Sequence, residues 1–310
     1  MENNKIPYIS VIITAYNRKE FLLNAIKSVL NQTLDKKYYE IIVIKNFIDK
    51  NIDDFINKNS IIGIISTQES LGGKLIDALN ISKGTVISFL EDDDLFFANK
   101  LDIVYKKFKK DSDIVYFHNR YVPINSNGKT ININNMNTSI DFNISCISIK
   151  KSIVKFSKEC KNIMSQDTLI YLYALESNKK IIKGKETLTY YMFHDSVSHI
   201  VANNLEEYRK HVLTTSDLFL NNYTLFNNLF HSKKAINVLN SRITGIQIYM
   251  FIVGANETPS KLINFFLNNP GSLKYRGAFF LSCILIKAYP KSRKYFSKKI
   301  WDVYRKWFNV

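Results

Sequence analysis

An apolar segment that runs directly into four carboxylates is the feature that most constrains this chain. Residues 85–90 (TVISFL) have the β-branched and aromatic composition of a buried strand, and Glu91, Asp92, Asp93 and Asp94 follow at once. Like charges at this spacing repel one another and raise the pKa of at least one carboxyl group. The cluster is either a solvated acidic turn or a site for Mg²⁺ or Mn²⁺ beside a phosphate. Because ligands bind at the carboxyl ends of strands in open parallel sheets, the position favours a metal–phosphate site.

Strand and helix patterns alternate before this segment. Short apolar runs predict strands at residues 9–13, 40–44 and 61–66, and helical periodicity predicts helices at residues 21–30 and 74–82. Alternation at these lengths predicts parallel βαβ units with right-handed crossovers. Asn17, three residues before Glu20, predicts an Asn-initiated capping box, and Gly84 predicts a glycine C-cap. From Leu205 onward the pattern is helical.

Size and composition are those of an ordinary globular protein. The 310 residues are 46% hydrophobic and 23% charged, enough for one large domain or for a catalytic domain with an appendage. Three scattered cysteines without CxxC spacing predict reduced core residues in a cytoplasmic protein, and neither a disulfide frame nor a zinc site. The polar N-terminus predicts no signal peptide, and no apolar run approaches the roughly 18 residues of a spanning helix.

The net charge of +16 is concentrated near the C-terminus. Residues 205–310 carry 16 Lys/Arg against 5 Asp/Glu, and residues 287–310 carry 8 against 1. Such a tail suits anionic lipid, nucleic acid or another acidic partner. Aromatic residues accompany these cations, as in an interfacial helix: Tyr295, Phe296, Trp301, Tyr304, Trp307 and Phe308. The same stripe, at helical spacing, is also what a core-packing helix carries.

Several motifs together resemble the nucleotide-binding half of family 2 glycosyltransferases of the GT-A fold. They are residues 11–18 (VIITAYNR), 28–33 (SVLNQT), 78–94 with the acidic cluster, and Lys100-Leu101. Downstream, Gln166-Asp167 resembles the family's Glu-Asp pair, and residues 191–198 (YMFHDSVS) resemble its Tyr-x-x-His-x-x-x-Ser segment. The resemblance covers about residues 8–200. It implies an α/β fold with a Rossmann-like, mostly parallel sheet flanked by helices, followed by a helical C-terminal region.

The resemblance also implies a domain division and a donor site. The catalytic domain would span residues 1–204, with a nucleotide-binding half at about 8–120, an acceptor half at about 121–204, and a basic helical region at 205–310. Donor binding is assigned to Thr14, Ala15, Tyr16, Arg18, Asn46, Lys74, Glu91 and Asp92. The segment from Thr14 to Tyr16 would cradle the base and ribose, unless it is an ordinary strand-to-helix turn. Lys74 would reach the diphosphate, unless it is a solvated helix lysine.

The metal and the general base are implied in the same way. Asp93 occupies the second carboxylate position of the DxD motif and is expected to ligate Mn²⁺ or Mg²⁺, while Glu91, at the first, contacts ribose or a metal-bound water. His194 either completes the metal shell, touches the diphosphate or is structural. Asp167 is the expected base of an inverting transfer, taking the proton of the acceptor hydroxyl. Its alternative role is an interaction with a helix dipole.

One departure from the family leaves the donor base open. The family's Asp-Asp-Gly-Ser after the second strand is replaced here by residues 44–49 (IKNFID). Lys45 cannot accept a hydrogen bond, whereas the Asn46 amide both donates and accepts, so Asn46 is a candidate reader of the base. A UDP-sugar, a GDP-sugar and a lipid-linked donor all remain open.

The function that the resemblance implies is a metal-dependent inverting glycosyltransferase acting on a glycan, lipid-linked or protein-linked acceptor. A nucleotidyltransferase is weaker, because residues 14–19 contain no phosphate-wrapping glycine. A basic membrane or nucleic-acid adaptor leaves the acidic cluster unexplained, and no nucleic-acid partner is expected, since carboxylates repel phosphate unless a metal intervenes. The basic tail predicts peripheral contact with the cytoplasmic face of a membrane that carries the acceptor.

Overall fold

The computed structural model describes residues 6–68, 70–131, 143–156, 160–161, 165–192, 202–255, 259, 262–268 and 273–308. The chain forms two compact units, Met1–Phe193 and His194–Val310. The first unit contains the mixed sheet and the second is built from helices.

The described part of the first unit is organised around an eight-stranded sheet. Its strands are β1 (Ile9–Ala15), β2 (Tyr39–Lys45), β3 (Ile62–Ile65), β4 (Val86–Glu91), β5 (Leu95–Phe96), β6 (Ile114–Ile124), β7 (Ile147–Lys150) and β8 (Lys180–Met192). Their order is β3-β2-β1-β4-β7-β6-β8-β5. The first four are mutually parallel, β7 runs antiparallel to β4 and β6, and β5 antiparallel to β8. The predicted Rossmann-like sheet is confirmed, and β7 and β5 make it a mixed one.

Helices cover both faces of this sheet. They are α1 (Lys19–Leu30), α2 (Lys50–Lys58), α3 (Leu71–Ile81), α4 (Lys100–Lys110) and α5 (Gln166–Glu176). Side chains alternate along β1, so that Val11 and Ile13 pack against α1, α2 and α4 while Ile12 packs against α3 and α5. Burial on both faces explains why β1, β2 and β4 read as nearly continuous apolar runs.

Two predicted helix boundaries are wrong. Asn17 does not cap α1, because the N-cap position belongs to Arg18, and Asn17 instead adopts a left-handed conformation with φ of 56°. Gly84 does not cap α3 either, since the cap is Ser82. Gly84 serves close packing: a Cβ atom there would lie 2.4 Å from the backbone nitrogen of Ser10 in β1.

The second unit is helical, as the periodicity predicts. Its helices are α6 (Leu205–Phe226), α7 (Lys233–Val253), α8 (Leu262–Asn268), α9 (Leu273–Ala288) and α10 (Arg293–Phe308). Trp301 of α10 is buried against Tyr208 of α6 and Val253 of α7, with the two rings 5.5 Å apart. Trp301 therefore packs in the core of this unit. The side chains of residues 303–308 lie outside the described residues. Whether Tyr304, Trp307 and Phe308 pack in a core or face a membrane therefore stays a prediction.

Helix α9 is apolar on two sides. Cys283 and Ile286 face the core, whereas five other small or apolar side chains are exposed: Ala278, Leu281, Ile284, Leu285 and Ala288. We call these five residues the α9 outer face. Residues 258–301 around them contain nine basic residues and no acidic one. No helix in the described ranges has the length and hydropathy needed to cross a membrane.

Candidate active site

The carboxyl ends of β1, β2 and β4 lie side by side. In the parallel registers Ala15 pairs with Lys45 and Thr14 with Glu91. The segments that follow these strands therefore meet at one edge of the sheet, as the position of the acidic cluster predicts. Thr14 and Ala15 are buried strand residues, whereas Tyr16 is half exposed at the edge.

The guanidinium of Arg18 spans two carboxylates of the cluster. Its Nη1 lies 2.6 Å from Asp93 Oδ2 and its Nη2 lies 2.6 Å from Asp92 Oδ1. The backbone nitrogen of Tyr16 donates to Asp92 Oδ2 at 3.2 Å. Asp92 thus connects the end of β4 to the turn after β1, and burial raises its pKa to about 7 against the lowering effect of Arg18.

The other carboxylates are strongly desolvated. Burial and then the Asp93 charge raise the pKa of Asp94 to about 8. Asp94 Oδ1 accepts a hydrogen bond from the backbone nitrogen of Met192 at 2.9 Å. Burial and the three acidic neighbours raise the pKa of Glu91 well above its ordinary range. Because burial and mutual repulsion disfavour the charged forms of Glu91 and Asp94, a cation bound among these carboxylates would stabilise them.

The donor set fits a hard divalent cation. One carboxylate oxygen from each of Glu91, Asp93 and Asp94 lies within 4.8 Å of the others. Oxygen-only ligands of this charge are those that Mg²⁺ and Mn²⁺ accept. Among the described residues Asp94 Oδ2 is buried and has no hydrogen-bond partner, although the Ser145 and Asn143 side chains lie near enough to lower its pKa. Asp93 and its neighbours are therefore brought together, and the sequence does not single out Asp94 as a member of this trio.

The candidate reader of the base is held by the turn after β1. Asn46 Oδ1 accepts from the backbone nitrogen of Asn17 at 3.0 Å, and its Nδ2 donates to Asn17 Oδ1 at 2.9 Å. The left-handed conformation of Asn17 permits this reciprocal pair and fixes which end of the Asn46 amide is the acceptor. One lone pair and one N–H of that amide remain for a ligand by chemical count.

The neighbouring Lys45 is held by contacts inside the protein. Its side chain is buried, its ammonium lies 2.8 Å from Asp53 Oδ1, and it donates to the carbonyl oxygen of Phe47 at 2.5 Å. These contacts satisfy a buried cation within the β2–α2 connection. The lysine that replaces the family's acidic residue is therefore directed into the protein.

Lys74 lies against the ring of Tyr16. Its ammonium is 4.5 Å from the ring centroid, and its side chain is buried, so it is not the solvated lysine of the alternative interpretation. The Ser70 hydroxyl caps α3 by accepting from the backbone nitrogen of Gly73 at 3.1 Å. A Cβ atom on Gly72 would meet the carbonyl oxygen of Cys160 at 2.4 Å, so this tight first turn requires glycine and helps to place Lys74.

Lys100 is a buried lysine that site prediction from the sequence does not include. Its ammonium donates to Ser145 O at 2.5 Å and to Thr189 Oγ1 at 3.1 Å, and lies 3.7 Å from the Phe96 ring centroid. Burial lowers its pKa to about 7. The Ser145 hydroxyl in turn accepts from the backbone nitrogen of Glu91. Lys100 thus supports the segment beneath the acidic cluster, and its only sequence signal is the Lys-Leu step after that cluster.

The structure gives less information about two further predicted site residues, Asp167 and His194. Asp167 is in the first turn of α5, where its Oδ1 accepts from the backbone nitrogen of Thr168 at 2.6 Å. Its role as the general base stays a prediction. His194 lies outside the described residues, as do Ser196 and Ser198.

Comparison with known proteins gives relatives in sequence and a solved structure with a similar fold. An uncharacterized glycosyltransferase of Rickettsia bellii is 36% identical over 126 residues, which are 39% of this chain and 18% of the relative. The poly(ribitol-phosphate) beta-N-acetylglucosaminyltransferase TarP of Staphylococcus aureus is 26% identical over 216 residues, 63% of this chain and 66% of that protein. The chain spans about a fifth of the length of the Rickettsia relatives it matches.

A solved structure has the same fold. The crystal structure of S. aureus TarS 1–349 in complex with UDP has a TM-score of 0.52 and 12% identity, and the match covers 96% of this chain and 89% of that one. The family model of glycosyl transferase family 2 matches residues 10–169, which include β1 from Ser10 onward, the acidic cluster and Asp167. With this family match, its GT-A sheet and its carboxylates at the carboxyl end of β4, the chain belongs to glycosyl transferase family 2.

Proposed function

We propose that the chain is a divalent-metal-dependent, inverting glycosyltransferase that moves a sugar from a nucleoside-diphosphate sugar to a glycan acceptor. The observation that carries this proposal is the carboxylate trio of Glu91, Asp93 and Asp94 within 4.8 Å, beside Tyr16 and Lys74 at the edge of the sheet. Membership in glycosyl transferase family 2 argues against the nucleotidyltransferase and adaptor alternatives.

The donor we favour is a UDP-sugar. TarS 1–349 has been solved with UDP, and TarP is named as an N-acetylglucosaminyltransferase, so the fold and a relative support this choice. Asn46 offers one donor and one acceptor, which match the imide edge of uracil. Tyr16, half exposed beside Asn46's partner Asn17, supplies an aromatic face for base or ribose.

The proposed chemistry divides between three groups. A divalent cation held by Asp93, with Glu91 and Asp94, would neutralise charge on the diphosphate leaving group. Lys74 adds a fixed positive charge for the same diphosphate. Asp167 takes the proton of the acceptor hydroxyl as its oxygen attacks the anomeric carbon opposite the nucleotide, which inverts the configuration.

The acceptor we propose is an anionic, lipid-linked glycan at the cytoplasmic face of a membrane. Two relatives are named as poly(ribitol-phosphate) glycosyltransferases, and the net charge of +11 on residues 205–310 suits a phosphate-bearing polymer. The α9 outer face, in a segment without acidic residues, suits an anionic bilayer surface better than a second copy of this cationic chain. In this division residues 1–204 catalyse and residues 205–310 hold the acceptor or the membrane.

The test is a thermal-stability screen followed by a transfer assay. UDP, GDP and ADP are added to the whole protein with and without Mn²⁺, since a ligand that binds the native state raises the melting temperature. We expect stabilisation by UDP that depends on Mn²⁺, and slow hydrolysis of one UDP-sugar. Stabilisation by no nucleotide, or equally by all three without metal, would contradict the proposal. Stabilisation by GDP alone would retain the enzyme class and change the donor.

A further inference from the structure

We propose that Arg18 is a resident counter-ion that competes with the divalent cation for Asp93, so that metal and nucleotide bind cooperatively. The inference rests on the metal site of the proposed function and adds a role that this site alone does not require. Arg18 holds Asp92 and Asp93 at 2.6 Å each, with good fork geometry for two separate carboxylates.

The competition follows from a shared carboxylate and from like charge. Asp93 belongs to the trio of carboxylates that converge within 4.8 Å, and one of its oxygens is already paired with the guanidinium. A divalent cation bound by the trio would lie next to the positively charged guanidinium of Arg18. Little water would separate the two charges, because Asp92 and Asp93 are buried. Metal binding must therefore weaken the Arg18–Asp93 pair.

A nucleotide diphosphate relieves this conflict. The Arg18 side chain is 31% exposed, and it follows directly after Asn17, so it stands at the open edge of the site rather than beneath it. A diphosphate bound there offers Arg18 new anionic partners while the metal takes over Asp93. Each ligand then raises the affinity for the other by the same factor, as linkage requires.

The experiment measures Mn²⁺ binding directly, from the electron paramagnetic resonance signal of free Mn²⁺. The wild type, Arg18→Gln, Arg18→Lys and Lys19→Gln are titrated alone and with UDP or GDP. Lys19→Gln is the matched control, because Lys19 is the next residue, is half exposed and pairs with Asp49 outside the cluster. Circular dichroism melts identify any variant that fails to fold.

We expect Arg18→Gln to bind Mn²⁺ about tenfold more tightly than the wild type without nucleotide. The gain in Mn²⁺ affinity on adding nucleotide should be smaller than in the wild type, since only the direct attraction between metal and diphosphate remains. Arg18→Lys, which reaches one carboxylate rather than two, should fall between them and keeps the test valid if Arg18→Gln misfolds. Lys19→Gln should match the wild type.

Two outcomes overturn the inference in distinguishable ways. If wild type and Arg18→Gln bind Mn²⁺ equally well, or if Lys19→Gln gives the same gain, Arg18 does not compete and the metal site stands. If no form of the protein binds Mn²⁺ with or without nucleotide, the metal half of the proposed function fails, and the inference fails with it.

Discussion

Lys74 is packed against Tyr16 with its ammonium 4.5 Å from the ring centroid, so that a buried cation and an aromatic face meet at the end of β1. We expect Lys74→Met to weaken UDP binding about 10- to 100-fold, since a charge-assisted contact to phosphate is lost. Binding of uridine, which has no phosphate, should change little. Calorimetry of both ligands checks this, with Lys19→Met as the control. An equal loss for uridine would assign Lys74 to positioning Tyr16 instead.

Asp93→Asn should abolish the Mn²⁺-dependent rise in melting temperature and the transfer reaction. The substitution preserves shape and still accepts a hydrogen bond from Arg18, so the fold should remain intact. Asp102→Asn is the matched control, because Asp102 pairs with Lys106 on α4, away from the cluster. Full activity of the wild type in EDTA would rule out the metal requirement.

Asp167→Asn should separate catalysis from donor binding. If Asp167 is the general base, the turnover number falls by roughly 10²-fold or more while UDP stabilisation is unchanged. Single-turnover transfer and thermal shift, measured on the same preparation, provide the two readouts. A variant that keeps its turnover number and loses donor affinity would place Asp167 in the nucleotide site.

Lys100 should make the stability of the protein depend on pH. Its pKa is about 7 in the folded protein, against 10.5 for an ordinary lysine, because burial disfavours the charged form. At a pH between these two pKa values, Lys100 is therefore protonated in the unfolded chain and largely neutral in the folded protein. The free energy of unfolding contributed by Lys100 rises with pH from about 7 to 10.5. The slope is at most about 1.4 kcal/mol per pH unit.

Urea melts at pH 7 and 9 should show this rise in the wild type and a smaller one in Lys100→Met. Equal pH dependence in both proteins would show that the amine is charged when folded.

The α9 outer face should control binding to anionic vesicles. We expect the wild type to sediment with phosphatidylglycerol vesicles at low salt and less at physiological salt, since the attraction is screened. Leu281→Glu should remove most of this binding. Leu218→Glu is the matched control, as Leu218 is an exposed leucine on α6. A wild type that stays in the supernatant at both salt concentrations has no such surface.

The sequence predicts the sheet better than it predicts the helix boundaries. The strand expected at residues 85–90, before the acidic cluster, spans Val86–Glu91, because a strand buried on both faces is a continuous apolar run. The boundary at Asn17 is wrong, because its side chain finds a partner 29 residues away, in Asn46, rather than in its own helix. No helix is predicted at α2, although Ile52, Phe55 and Ile56 lie at helical spacing, because nine residues are short for a helix assigned by periodicity.

The site is predictable to the extent that it depends on residue type rather than on distant contacts. The carboxylates can be found from their run and their place after a strand. The contact between Arg18 and Asp93 cannot, because 75 residues separate the two in the chain. The ion pair of Lys45 with Asp53 inside the protein cannot be predicted from local sequence either. Local sequence reports what chemistry is present, and the fold decides which charges neutralise one another.

Gly84 shows how far from the carboxylates a harmful mutation can lie. It precedes the amino end of β4, and the backbone of β1 passes so close that even an alanine methyl would separate the two strands. The carboxylates stand at the opposite end of that same strand, in register with Thr14. If the proposed metal site is correct, a random screen for clones that lose Mn²⁺ binding should recover Gly84 substitutions. A genetic map of this protein would then extend well beyond the residues that touch its ligands.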